Sequence, residues 1–230
     1  PQLEKIERRL FLKQGLSLGA LSLLSGCTLK DDDAIDRLLF TMSRWNDRVQ
    51  AALFDSGKLA PTYTEADLTK PFPFNAYYGE DEIRLVDGNT YRLELAGQIR
   101  VKRPWTLPEL YALPQESQIT RHICVEGWSA IGHWSGVRLR DFLELIGADT
   151  KANYVWFRCA DDYTSPIDMP TALHPQTILA TKYAKETITD PFGFPLRLRT
   201  ATKIGFKNAK WITAIEVTND FPETYYGKEG

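Results

Sequence analysis

Apolar positions along this chain change period several times, and each change marks an element. Ile35, Leu38, Leu39, Met42, Trp45, Val49, Ala52 and Leu53 recur at helical spacing, while Asp36, Arg37, Arg44 and Asp47 fill the other face. That spacing predicts an amphipathic helix packed on the body of a domain, with Asp32 or Asp33 available to cap it. Residues 61–73 are proline-rich and read as extended, because proline restricts its own backbone and that of the residue before it. Tyr91-Arg92-Leu93-Glu94-Leu95 alternates as a half-buried strand does, after the turn Asp87-Gly88-Asn89. Thr106 to Leu113 reads as a short helix with Pro108 near its first turn. A strand from Ile119 to Cys124 follows. Leu139, Phe142, Leu143 and Ile146 predict a further helix stopped by Gly147. Tyr154 to Ala160 is an apolar strand, Tyr163 to Asp168 a loop running into a strand, and Trp211 to Val217 alternates again. We read these elements as one α+β domain.

Composition narrows the picture. A chain of 230 residues that is 43% apolar supports one sizeable domain with a real core, plus an appendage. A formal net charge of −2 gives no reason to expect nucleic acid as a partner. The three cysteines include no Cys-x-x-Cys pair, which argues against a disulfide framework, a zinc ribbon or an iron–sulfur cluster. With three histidines and no Cys-x-x-Cys-His, haem is not expected in this chain. Electrons for any redox chemistry must then pass to or from another protein. No internal repeat or low-complexity block is present.

The first 27 residues read as an address. Arg8-Arg9-Leu10-Phe11-Leu12-Lys13 is a twin-arginine pattern, followed by a short apolar run from Gly15 to Leu24. The run is too short to span a bilayer comfortably and has the form of a signal peptide; the alternative is a plain amphipathic or membrane helix. It ends Leu24-Ser25-Gly26-Cys27, which resembles a bacterial lipobox with Cys27 as the lipidated residue. Several acyl chains there would hold the protein at a membrane face. The expected layout is residues 1–27 as signal peptide with lipobox, 28–60 as spacer and helix, and 61–230 as the functional domain. The expected location is periplasmic, anchored as a lipoprotein and exported by the twin-arginine route, which carries proteins already folded.

Three stretches carry candidate chemistry. In Arg121-His122-Ile123-Cys124-Val125-Glu126-Gly127-Trp128 a strand delivers one thiol into a turn. A thiolate there is a nucleophile or a soft metal ligand; the alternative is a buried core cysteine. Glu126 is positioned for proton transfer if the site is closed enough to tune it, and otherwise is a surface carboxylate. His122 and His133 read as packed histidines, and His174 as a packing residue. Phe72-Pro73-Phe74-Asn75-Ala76-Tyr77-Tyr78-Gly79 is a rigid loop with amide and phenol groups to offer. Lys203-Ile204-Gly205-Phe206-Lys207-Asn208-Ala209-Lys210 is a basic turn; Gly205 would let the backbone approach a ligand, and the lysines could bind an anion.

Cys124-Val125-Glu126-Gly127-Trp128-Ser129, with Trp134-Ser135-Gly136-Val137 and Gly193-Phe194-Pro195-Leu196-Arg197, resembles the sulfite oxidase superfamily, the oxidoreductase molybdopterin-binding domain. Within it, the resemblance is to the branch holding the catalytic subunit of periplasmic methionine-sulfoxide reductase. It covers about Pro71 to Trp211 and implies a single sulfite-oxidase-type domain. By resemblance, Cys124 is the molybdenum ligand, and the cofactor is molybdenum held by molybdopterin. Asn75, Tyr78 and Gly79 match the family's Asn-x-x-Tyr-Glu site, with the glutamate replaced by Gly79. Cys159 stands where the branch has a threonine on the cofactor. Arg197, Lys207, Asn208, Ala209 and Lys210 would hold the pterin and its anionic tail, and Phe192 replaces a polar family residue. After residue 217 the extra dimerisation domain of sulfite oxidases would not fit. The implied activity is two-electron oxygen-atom transfer, with reduction of a sulfoxide-type small molecule first. Sulfite or another oxoanion comes second, which would need a basic pocket from Arg121, Arg138 or Arg158. A non-catalytic lipoprotein binding module is the rival from another class. The implied electron partner is a membrane haem subunit or a cytochrome.

Overall fold

The alternation at residues 91–95 becomes strand β1, Arg92–Gly97, in a computed structural model that describes residues 57–76 and 78–221, with residues 37, 41, 42, 45, 46, 48, 49 and 55 in addition. The chain divides into two units, Pro1–Asp55 and Ser56–Gly230. In the first, the residues described from 37 to 49 are helical. Met42 and Trp45, expected on a packed face, are exposed there. The twin-arginine pattern, the lipobox with Cys27, the acidic spacer and the rest of the expected 35–53 helix lie outside the described residues. Among the described residues no helix is long and apolar enough to cross a membrane.

The second unit is rich in sheet. Its strands after β1 are β2 (Trp105–Thr106), β3 (Glu116–Ile123), β4 (Ser129–Arg138), β5 (Tyr154–Cys159), β6 (Thr164–Asp168), β7 (Thr177–Tyr183), β8 (Glu186–Thr187), β9 (Arg197–Thr200) and β10 (Ile212–Thr218). One sheet runs β2-β1-β10-β5-β6 and the other β3-β4-β7-β8, with β9 also paired to β7. The β1–β10 pair is parallel, Leu95 facing Ile215. The chain between them builds the whole second sheet, as a parallel pair requires a long crossover.

Helix α1, Leu107–Ala112, begins as its sequence predicts. Thr106 Oγ1 accepts from the Glu109 amide at 3.4 Å, and Glu109 Oε2 accepts from the Thr106 amide at 2.8 Å. This reciprocal capping box satisfies two donors that the helix itself cannot. Helix α2, Leu139–Leu145, buries Leu139, Phe142 and Leu143 on one face. Helix α3, Met169–Ala172, is a single turn capped by Asp168. Alternate residues of β1, β5 and β10 (Leu93, Leu95, Val155, Phe157, Ile215, Val217) join the α1 and α2 side chains in one continuous core.

Strand β4 does not announce itself in the sequence. Its centre holds Gly132 and Gly136, and glycine normally weakens a strand. The packing explains the second of these. A Cβ at Gly136 would stand 2.0 Å from the Leu179 carbonyl oxygen of β7, so only a residue without a side chain lets these strands pair closely. Beside this contact lies a smaller aromatic core. Phe72, from the proline-rich segment, meets Trp134, Tyr183 and Phe192 edge-on at 5.4, 5.5 and 5.9 Å.

Candidate active site

Four segments converge on one cavity of roughly 260 Å³. The first is the turn between β3 and β4. The Cys124 amide donates to the Trp128 carbonyl at 2.9 Å, and the Gly127 amide returns to the Cys124 carbonyl at 3.3 Å. The turn closes tightly and holds Cys124 at the cavity wall, 8% exposed. Glu126 also lines the cavity but is exposed, at its mouth. The Trp128 indole N–H donates to Glu126 Oε2 at 2.9 Å, and the Cys124 thiol lies 3.8 Å from the same oxygen. The closed setting that would tune this carboxyl is not what surrounds it. Carboxylate and thiol are nevertheless held side by side.

The second segment carries Asn75. It is pinned along β4, where the Thr69 amide donates to the Ile131 carbonyl and the Ile131 amide to Thr69 Oγ1, both at 3.0 Å. Asn75 and Ala76 line the cavity. Asn75 Nδ2 lies 3.4 Å from His122 Nε2. Tyr78 stands behind the wall, stacked on Trp211 at 6.1 Å, with its hydroxyl donating to Asp161 Oδ2 at 2.8 Å. Gly79 caps the short turn Glu80–Glu82 and does not line the cavity.

The third segment is the β5–β6 turn. It supplies Asp161 and Tyr163, which the sequence reading did not single out; an Asp-Asp-Tyr turn between two strands was the available signal. Tyr163 donates from its hydroxyl to the Phe206 carbonyl at 2.6 Å. Cys159, at the end of β5, is buried outside the lining. Burial pushes its thiol pKa up, and Asp161 adds to the shift.

The fourth segment is the loop from β9 to β10. Gly205, Phe206, Asn208, Ala209, Lys210 and Trp211 line the cavity. Asn208 is the brace of this loop: its Oδ1 accepts from Arg199 Nη1 and from the Thr200 amide, both at 2.8 Å, and its Nδ2 donates to the Ile204 carbonyl at 3.1 Å. Gly205 has no room for a side chain, since a Cβ would stand 2.9 Å from His122 Nε2. Lys207 turns away, its Nζ donating to the Pro166 carbonyl at 2.9 Å. Lys210 Nζ lies 4.1 Å from the Trp211 ring centre and 4.4 Å from that of Phe74. Burial first, and then Arg197, push its pKa down to about 7, against the pull of Asp161 and Glu80.

Arg197 lies outside the lining but is fully buried, over the Trp134 ring at 4.4 Å, with Nη1 donating to the Phe192 carbonyl at 3.0 Å. Among the described residues its Nε and Nη2 have no hydrogen-bond partner, and neither do Arg199 Nε, His122 Nδ1 and Trp134 Nε1. Burial, with help from Arg199, lowers the Arg197 pKa to about 9. His122 is fully buried, and burial followed by Arg197, Arg199 and Lys210 holds its pKa down to about 2, so the ring is neutral. His133 and His174 are buried too, as packed histidines. His133 Nε2 lies 2.6 Å from Ser117 Oγ, and His174 Nε2 lies 3.2 Å from the Lys58 carbonyl.

This donor set can be tested against the expected cofactor. Among the described residues no group of three or more His, Cys, Asp and Glu side chains could hold a metal ion. A metal at Cys124 therefore takes one protein thiolate and needs its other ligands from a second molecule. Buried charges require partners, and Arg197 and Arg199 form no ion pair among the described residues. A pterin dithiolene with an anionic tail brings sulfur ligands, hydrogen-bond acceptors and negative charge, so the residues fit it.

Comparison with known proteins agrees. Residues 80–226 match the family described as the oxidoreductase molybdopterin binding domain. The chain is 55% identical over 223 residues to a candidate protein-methionine-sulfoxide reductase subunit, YedZ1, of Azospira oryzae, covering 97% of this chain and 85% of that one. It is 28% identical over 151 residues to the protein-methionine-sulfoxide reductase catalytic subunit MsrP of Campylobacter jejuni, covering 58% and 51%. With MsrP of Xanthomonas axonopodis it shares 31% over 150 residues, covering 58% and 47%. The chain thus spans about half the length of these two MsrP relatives. Among solved structures, the sulfane dehydrogenase SoxCD of Paracoccus pantotrophus superposes with a TM-score of 0.56 at 16% identity, covering 60% of this chain and 40% of that one; that likeness shows the fold alone. The chain belongs to the oxidoreductase molybdopterin-binding domain family, with the sulfite-oxidase-type fold, and is a molybdopterin-dependent oxidoreductase.

Proposed function

We propose that the chain is the catalytic component of an exported, lipid-anchored enzyme that reduces a sulfoxide. The observation that carries the reading is the meeting at one cavity of a single thiol, Cys124, the carboxylate of Glu126 and the Asn208–Lys210 loop, with two fully buried arginines, Arg197 and Arg199, that form no ion pair among the described residues. Cys124, as thiolate, would be the protein's ligand to molybdenum. Asn75 and the Asn208–Lys210 loop would contact the pterin directly, with Tyr78 and Cys159 supporting that wall, and Arg197 and Lys210 would meet its anionic tail. When bound, the cofactor supplies two-electron oxygen-atom transfer.

Sulfoxide reduction consumes two electrons and two protons and releases the sulfide and water. Glu126, held by Trp128 beside the thiol, hands a proton to the departing oxygen and is recharged from solvent at the mouth. The electrons come from an external donor, a membrane haem subunit or a cytochrome. Export by the twin-arginine route after loading, periplasmic location and lipidation at Cys27 complete the proposal, on the strength of the N-terminal sequence.

An oxoanion substrate is disfavoured by charge. Arg121, Arg138 and Arg158 do not line the cavity. Arg121 lies over Tyr63 at 5.3 Å, Arg138 pairs with Glu116 at 2.7 Å, and Arg158 with Glu216 at 3.5 Å. Two acidic side chains, Glu126 and Asp161, line it against one basic one, Lys210, a balance that suits a neutral sulfoxide better than sulfite.

The test is metal analysis and turnover of protein from a molybdenum-competent host. Roughly one molybdenum per chain is expected in the wild type and almost none in Cys124→Ser. With reduced viologen as donor, sulfoxides should be consumed. Full molybdenum occupancy in the serine variant would refute the ligand, and oxidation of sulfite with an oxidised acceptor such as ferricyanide, with no sulfoxide reduced, would refute the substrate.

A further inference from the structure

The residues described from 37 to 49 in the first unit are helical, and they carry two lines of side chains. Met42 and Trp45 are 59% and 66% exposed, with half-buried Val49 one turn further on. Spaced by three and four residues, these side chains share one face of the helix. Arg37, Thr41 and Arg48, all exposed, form a second line beside the first. The Thr41 hydroxyl donates back to the Arg37 carbonyl at 2.8 Å, which leaves Arg37 and Arg48 as the charges of that line. By sequence spacing Ile35, Leu38 and Leu53 extend the apolar line and Arg44 the basic one, while Asp36 and Asp47 fall on the side opposite Trp45. Two further facts narrow what covers the apolar line. Among the described residues no helix is long and apolar enough to cross a membrane, so a lipid-facing helix here lies on a bilayer. Cys27 precedes Arg37 by only ten residues, and an extended chain of that length reaches about 35 Å.

We propose that the apolar line of this helix lies in the headgroup region of a phospholipid leaflet, with Met42 and Trp45 against the upper acyl chains and Arg37 and Arg48 drawn up to the phosphates. The inference rests on the lipid anchor of the proposed function and deepens it: the acyl chains on Cys27 bring the helix to the surface, and the helix supplies a second contact. Interfacial helices bind through such an apolar stripe bordered by basic residues. The amphipathic ring of tryptophan settles at headgroup level, and arginine stems lie along apolar surface while their heads reach the phosphates. The acidic run Asp31-Asp32-Asp33 opposes any general attraction to anionic lipid, so the apolar line carries the affinity. A short stripe suffices, because tethering holds the helix at a local concentration in the millimolar range.

Holoenzyme purified from membranes is reconstituted into phosphatidylcholine vesicles whose acyl chains are plain or brominated, and tryptophan emission is compared. Brominated lipid should quench part of the wild-type emission. Trp45→Phe, which keeps the face apolar, should remove most of that quenched part. Met42→Glu, which leaves Trp45 as the reporter, should weaken the contact about tenfold and lower the quenching accordingly. Equal emission in the two kinds of vesicle, or equal quenching in all three proteins, overturns the assignment. A dimer in detergent that Met42→Glu dissociates, with no quenching by lipid, gives the face to a second copy and overturns it too. The intact mass of the mature chain tests the anchor separately. Protein without lipid on Cys27 whose Trp45 is still quenched by added vesicles supports the helix contact and removes the anchor. Lipidated protein without that quenching removes the helix contact alone.

Discussion

The two cores of the larger unit were built by different rules. Around Phe142, Leu143, Val155 and Ile215 the interior is apolar and closed on itself. Around Trp134 and Arg197 a few aromatic rings lie against guanidinium and imidazole groups of which several nitrogens (Arg197 Nε and Nη2, Arg199 Nε, His122 Nδ1) lack a hydrogen-bond partner among the described residues. The first core maximises burial of hydrocarbon. The second keeps donors that cost free energy in the empty protein. The contrast teaches that a binding site can be recognised by what its packing leaves unsatisfied.

Substitutions should separate the two regions. Phe142→Ala removes a fully buried ring from the apolar core and is expected to cost about 4 kcal/mol in chemical denaturation. Loaded and empty protein should lose similar amounts. Arg197→Leu should do the opposite in the empty protein. It replaces an unpaired buried charge and is expected to raise the stability of the empty form by about 2 kcal/mol, while molybdenum occupancy on purification falls. Loss of stability there would show that the guanidinium is already satisfied without the cofactor.

Lys210 gives a pH test of the same region. Its folded pKa, about 7, lies below the ordinary value of 10.5, so between these values the unfolded chain binds the extra proton. Stability of the empty protein should therefore rise from pH 7 towards pH 10, by at most about 1.4 kcal/mol per pH unit, and stay at its lower level below pH 7. Lys210→Met should flatten that slope, and so should loading the anionic cofactor, which favours the charged lysine. Thr106→Ala, remote from both effects, removes the cap of α1 and should cost about 1 kcal/mol in either form.

Much of the first core was legible in the chain. Leu93 and Leu95 alternate, the Leu139–Ile146 spacing is helical, and Thr106 with Glu109 encodes a cap; each signal is local. Strands β4 and β7 were not foreseen. Gly132 and Gly136 break the expected pattern of β4, and the reason for Gly136 is a carbonyl on another strand. The site divides in the same way. Cys124, Glu126, Asn75, Asn208, Ala209 and Lys210 share one cavity. Lys207, read as basic like Lys210, ends the 3-10 turn Gly205–Lys207 and donates to the Pro166 carbonyl of β6 instead, a contact between segments that the local sequence does not encode. Asp161 and Tyr163 enter the site only because two distant loops meet there, which periodicity cannot express.

The contact between Gly205 and His122 has a consequence for the whole centre. The imidazole projects from β3, two residues before Cys124, against the loop that carries Asn208 to Lys210. The ring and the Ile123 carbonyl together form the surface against which the loop rests at Gly205. A methyl group added at residue 205 would press on that ring and on the Ile123 carbonyl, so it should push the loop away from the thiol although it touches neither metal nor substrate.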